Sequence, residues 1–238
     1  TLRLKAPTPV FAGEAALLEV TLTSEDRRER FGIGLRVYPD ISARDDPGWA
    51  WTDVPAQAQA TTHVSFQPQR RGWHPVPTLS AETRFPLGIF RVWSVWRPAS
   101  RLLVYPAPES YPPPLPMAQP MPGGPVQARR SEGGETEGVR GYRRGDPLKL
   151  VVWKKVAKTD ELVSRDTSAA ARQELWLDYQ HPGARDAEQR LSRLAAWVLA
   201  AEQAGLVYGL RLPGCADLAP DHGEAHKRRC LEQLALYR

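Results

Sequence analysis

The chain has 238 residues, 42% hydrophobic and 25% charged, which excludes a wholly disordered polymer and leaves room for two modest domains with separate cores. Its 32 basic and 27 acidic residues give a net charge of +5 but are well mixed, unlike the lopsided surface of a dedicated nucleic-acid binder. Cys215 and Cys230 are the two cysteines. Without CxxC spacing or paired histidines, they argue against a zinc site and a disulfide scaffold and fit a reducing compartment.

The first hundred residues predict strands. Leu2 and Leu4 alternate, as do Ala16, Leu18, Val20 and Leu22, and the same period of two runs through 32–38 and 61–66. Gly13, Pro39, Pro47-Gly48, Arg71-Gly72 and Pro86-Leu87-Gly88 punctuate them as turns. Short strands separated by turns predict an antiparallel β-sandwich of immunoglobulin-like type over residues 1–108. "IFRVWSVW", residues 89–96, is apolar on both faces, so cover is expected on both. Trp49, Trp51 and Trp73 are read as core or rim packing in preference to a ligand cage.

From Pro106 the composition changes, and "PAPESYPPPLPMAQPMPGGP" excludes helix and central strand. Residues 109–136 are therefore expected to act as a Pro/Gly-rich spacer of polyproline II and loop. Beyond it, residues 137–238 read as α/β. Strands are predicted over 162–165, 174–179 and 206–212, with helices over 185–204, ending at Gly205, and over 224–236. A right-handed strand–helix–parallel strand crossover is the economical topology. No run approaches the ~20 apolar residues of a membrane helix. The chain opens at Thr1 without a leader pattern, so it is expected to be a soluble piece of something longer.

The most information-rich stretch is "EGVRGYRRGDPLKLVVWKKVAKTDELVSRD", residues 137–166. Asp146 suits an N-cap and Pro147 the first helical position, Leu148, Val151, Val152 and Val156 form an apolar stripe, and Lys154, Lys155 and Lys158 fall near the negative end of the helix dipole. A nucleic-acid reading would use Arg140, Arg143, Arg144, Lys154 and Lys155 on phosphates with Tyr142 and Trp153 as stacking platforms. Glu135, Glu137, Asp146, Asp160, Glu161 and Asp166 in the same window oppose it. A hydrolytic reading would pair Asp146 with Glu161, but no nucleophile or positioned histidine accompanies them.

This stretch resembles the signature of the domain of unknown function 58 family, approximately R-x-Y-x-x-G-D, I-x-W-K-x-x-A-(R/K) and E-L-x-x-(R/K). The matching positions are Arg140, Tyr142, Gly145, Asp146, Val151, Trp153, Lys154, Ala157, Lys158, Glu161, Leu162 and Arg165. "RRGWHPVPTLSAETRFPLGIFRVW" ahead of "VYP" extends the resemblance over almost the whole chain. It implies a multidomain β plus α/β protein, with a truncated von Willebrand factor A-like domain over 137–238. It also implies tethering to the cytoplasmic face of the inner membrane through upstream helices absent here, and a MoxR-type AAA+ ATPase as partner.

No enzymatic reaction and no cofactor is implied, and the oligomeric state is left open. The metal site of such domains needs DxSxS, yet "LWLDYQHPG" keeps only Asp178, with Gln180 and Pro182 in the hydroxyl positions, so no metal is expected. The favoured reading is a non-enzymatic adaptor with Arg140, Tyr142, Arg143, Gly145, Asp146, Trp153, Lys154, Lys158, Glu161 and Arg165 at its interaction hub. The alternative is a nucleic-acid-binding or hydrolytic protein using the same motif.

Overall fold

The computed structural model describes residues 1–38, 48–117, 119–120, 139–141, 163–165, 173–180 and 186–238. It divides into two compact units, one made of residues 1–115 and 177–238, the other of residues 116–176. Among the described residues the protein is built mostly from β-sheets, with two helices.

In the first unit, β1 (Leu2–Leu4), β2 (Val10–Phe11), β3 (Ala16–Thr23), β4 (Arg30–Val37), β5 (Ala50–Val54), β6 (Gln59–Phe66), β7 (Gly72–Pro75), β8 (Leu79–Thr83), β9 (Val92–Trp96) and β10 (Arg101–Tyr105) form three sheets. Their strand orders are β1-β3-β6, β5-β4-β8-β9 and β2-β10-β7. The predicted alternation in β3 is realised: Ala16, Leu18, Val20 and Leu22 are buried while the intervening side chains are not. Its antiparallel pairing with β6 runs in register from Ala16–Phe66 to Thr23–Gln59.

Leu18, Val20, Leu22 and Val64 from the first sheet share one core with Leu35, Val54 and Leu79 from the second. Each sheet thus turns one apolar face inward, as a period of two requires. A smaller cluster joins Ala16 to Leu102 and Val104 of β10.

In the second unit, β11 (Gln119–Pro120) pairs antiparallel with the start of β14 (Gln173–Asp178), and β12 (Val139–Gly141) pairs antiparallel with β13 (Val163–Arg165). β13 and β14 coincide closely with predicted strands. β12 was not foreseen, because "VRG" carries no apolar alternation.

The chain returns to the first unit with α1 (Ala187–Gln203), β15 (Tyr208–Arg211), β16 (Leu218–Asp221) and α2 (Glu224–Leu236). Asp186 caps α1 by accepting from the Gln189 N–H at 2.7 Å. Gly205, at φ 65°, ends it: its N–H donates to the Glu202 carbonyl and that of Leu206 to Ala201, a Schellman arrangement. β15 does not lead directly into the last helix. It pairs antiparallel with β16, which had not been predicted.

α2 packs on β10 and β7. Alternation sends Leu102 and Val104 toward Ala16, and Leu103 and Tyr105 to the other face, where Glu232 and Arg228 of α2 lie in the electrostatic neighbourhood of the Tyr105 hydroxyl. The proline-rich stretch begins anchored to α1. Arg193 holds both oxygens of Glu109 at 2.8 and 3.0 Å, the Glu109 N–H donates to the Ser192 carbonyl, and Trp197 Nε1 donates to the Pro113 carbonyl at 2.8 Å.

Candidate functional site

Of the signature positions, Tyr142, Arg143, Gly145, Asp146, Trp153, Lys154, Lys158 and Glu161 lie outside the described residues, as does the helix predicted to begin at Pro147 behind its Asp146 cap. The two outermost positions are described, and the backbone brings them together. Arg140 stands opposite Ser164 in the β12–β13 ladder, and Arg165 opposite Val139. The two ends of a segment of some thirty residues are thus closed by direct backbone pairing.

Asp178 ends β14, and its Oδ1 accepts from the Gln180 N–H at 2.8 Å, closing an Asx turn. Among the described residues no group of three or more His, Cys, Asp and Glu is placed to hold a metal ion. No described helix is long and apolar enough to cross a membrane.

Two residues distant in sequence from any recognised motif meet inside the first unit. His226 and Cys230, one turn apart on α2, are both fully buried, with the imidazole Nε2 3.5 Å from the thiol Sγ. Nε2 also lies 2.8 Å from the Tyr208 carbonyl oxygen, which can only accept, so Nε2 carries a proton and cannot take one from the thiol. Burial pushes the Cys230 pKa up to about 12, and the Tyr208 hydroxyl is raised by the same cause. The pair is a satisfied core contact, not a nucleophile with its base. Glu202 completes it by accepting from Tyr208 Oη and the Gly223 N–H, each at 3.2 Å.

An open cleft of about 1000 Å³ borders Arg70, Arg71, Trp73, Glu188, Tyr237 and Arg238. Arg71 is its central charge: Nη1 pairs with Glu188 in the first turn of α1, and Nη2 donates to the Tyr237 carbonyl at 2.7 Å. Desolvation lowers the pKa of this guanidinium, which stays charged at neutral pH. With both terminal nitrogens engaged, Arg71 acts as a clamp between the turn before β7 and the two helices.

A run of exposed apolar side chains lies elsewhere. Phe85, Leu87, Ile89, Phe90, Val92, Trp93 and Val95 are all exposed, Ile89 at 76%, Phe90 at 77% and Trp93 at 55%. The expected cover on both faces of residues 89–96 is therefore not found among the described residues, and regular strand begins only at Val92. Below this strip, the carboxylate of Glu82 is only 4% exposed and receives Arg84 Nε at 3.0 Å and Arg91 Nε at 2.7 Å, so one acid ties both ends of the projecting turn.

On the same sheet Trp49 and Trp51 stack with centroids 5.5 Å apart over Gly34, and Arg36 lies 4.4 Å from the Trp49 centroid. A Cβ at position 34 would come within 2.8 Å of both rings, so this packing needs glycine. Trp51 and Trp73 are each about half exposed, at 53% and 54%, the first stacked on Trp49 and the second at the rim of the cleft.

No protein-family model matches the chain, and no curated protein matches it.

Proposed function

We propose that the protein is a non-enzymatic interaction adaptor that works with a MoxR-type AAA+ ATPase at the cytoplasmic face of the inner membrane, its signature segment forming the hub. The reading rests on the resemblance of residues 137–166 to the domain of unknown function 58 signature. It carries with it an immunoglobulin-like sandwich over 1–108, a spacer over 109–136 and a truncated von Willebrand factor A-like part over 137–238.

The observation that supports it best is the β12–β13 ladder. A hub needs the two ends of its segment held together, and Val139–Gly141 and Val163–Arg165 are paired residue for residue. Two sheets sharing one core support the sandwich assignment, and the strand–helix–strand–strand–helix order of 173–236 supports the α/β assignment.

The test is recovery of the ATPase on the immobilised protein, with and without ATP. Arg143→Glu with Arg144→Glu should weaken capture at least tenfold without moving the unfolding midpoint, whereas Trp153→Ala should lower that midpoint. Failure to recover the ATPase in either nucleotide state would remove the adaptor reading. A neutral Trp153→Ala that abolished a measured activity would make the motif an active site.

A further inference from the structure

The edge of the second sheet carries a surface that the adaptor reading does not use. β9 is terminal in the order β5-β4-β8-β9, so one side of its backbone has no ladder partner among the described residues. Edge strands are ordinarily protected by a charge, a proline, a bulge or shortness, because unpaired N–H and C=O groups template further pairing. Val92–Trp96, "VWSVW", contains no charge and no proline, and its pairing with β8 runs unshifted from Leu79–Trp96 to Thr83–Val92.

The sequence of this edge is complementary to itself. Placed antiparallel to a second copy about Ser94, it sets Val92 against Trp96, Trp93 against Val95 and Ser94 against Ser94. Each apolar pairing is aromatic with β-branched, a favourable cross-strand combination. A two-fold axis through Ser94 satisfies both copies at once, as an isologous contact requires.

Exposure points the same way: Val92, Trp93 and Val95 of the edge strand are exposed, as are Phe85, Leu87, Ile89 and Phe90 of the turn before it. The same register brings Arg91 beside Arg97 of the second copy, a repulsion softened by Glu82, which holds Arg91.

We infer that the protein self-associates through β9, two copies pairing edge to edge about Ser94 to make one continuous eight-stranded sheet. This is independent of the adaptor reading: the ATPase could bind or fail to bind whatever the outcome.

Ser94 is exposed, so changing it tests the contact without touching the core. Sedimentation equilibrium should show a wild-type dimer by about 100 µM. Ser94→Lys, which places like charges opposite one another, should weaken it at least tenfold, as should Ser94→Glu. An equimolar mixture of the two variants should restore a dimer, a rescue that damaged folding could not produce. In a Cys215→Ser background, Ser94→Cys should form an intermolecular disulfide on mild oxidation, since directly opposed Cα atoms lie about 4.5–5.5 Å apart.

A wild-type protein monomeric at that concentration would overturn the inference, as would lysine and glutamate variants that dimerise like wild type. Binding of a monomer to phosphatidylglycerol vesicles, lost on Phe90→Ser, would overturn it too and assign the strip to a lipid surface.

Discussion

β9 and β10 are neighbours in sequence, separated by only Arg97–Ser100, and both are apolar on both faces, "VWSVW" and "RLLVY". Their fates are opposite. Leu102, Leu103, Val104 and Tyr105 are buried, whereas Val92, Trp93 and Val95 are exposed. β10 lies between β2 and β7 with the Ala16 cluster on one face and α2 on the other, while β9 is the last strand of its sheet. A strand apolar on both sides demands cover, but its own residues do not say where that cover comes from. For β10 one face is covered by Ala16 and its neighbours and the other by residues more than a hundred positions further on, and for β9 we infer a second copy.

The contrast is broken most severely by loosening α1, against which the covering helix α2 packs. Trp197 is fully buried in α1, and Trp197→Ala should cost about 3–5 kcal/mol in urea unfolding, through the cavity left behind and the lost bond to Pro113. Leu102→Ala, within β10 itself, should cost about 2–5 kcal/mol in the same assay.

Glu109→Gln loosens the strap that follows β10 and should cost about 1–2 kcal/mol near neutral pH. Arg193 holds the Glu109 pKa below its ordinary value, so the ionised form is favoured by folding. The contribution is complete above the unfolded glutamate pKa and is lost as pH falls through the lowered folded one. The stability gap between wild type and Glu109→Gln, measured by urea unfolding at a series of pH values, should therefore close on acidification. A gap independent of pH would show that the carboxylate charge contributes nothing.

At the other end of the scale, Val95→Ala should stay within about 0.5 kcal/mol in the monomer, as for an exposed site. A loss of 2 kcal/mol there at dilute concentration would mean that β9 is covered within its own chain and would erase the contrast.

Much of the local structure could be read directly. The boundaries of α2 were predicted residue for residue, and those of α1 to within two residues, because apolar spacing and Gly205 are signals confined to a few neighbouring positions. The alternation of β3, the strand over 163–165 and most of β14 were legible for the same reason. β12 and β16 were missed: neither "VRG" nor "LAPD" shows a run of apolar alternation. Trp96 packs on the sandwich core as expected, but the exposure of 89–95 was misjudged because apolarity signals a demand for cover and not its source. For the candidate site, the sequence marked Arg140 and Arg165 as ends of one signature, and only the β12–β13 ladder shows those ends paired.

By itself, then, the sequence determined the repeating elements, their caps and the apolar faces that each had to bury. Tertiary structure decided which faces met. It put Arg71 against Glu188 and Tyr237, anchored Glu109 and Pro113 on α1, and enclosed His226 with Cys230. The physical reason is range. Periodicity and capping are settled within one or two turns of chain, whereas the Arg71–Tyr237 bond joins residues 166 positions apart and forms only when packing of the whole unit outweighs the entropy of closing so long a loop.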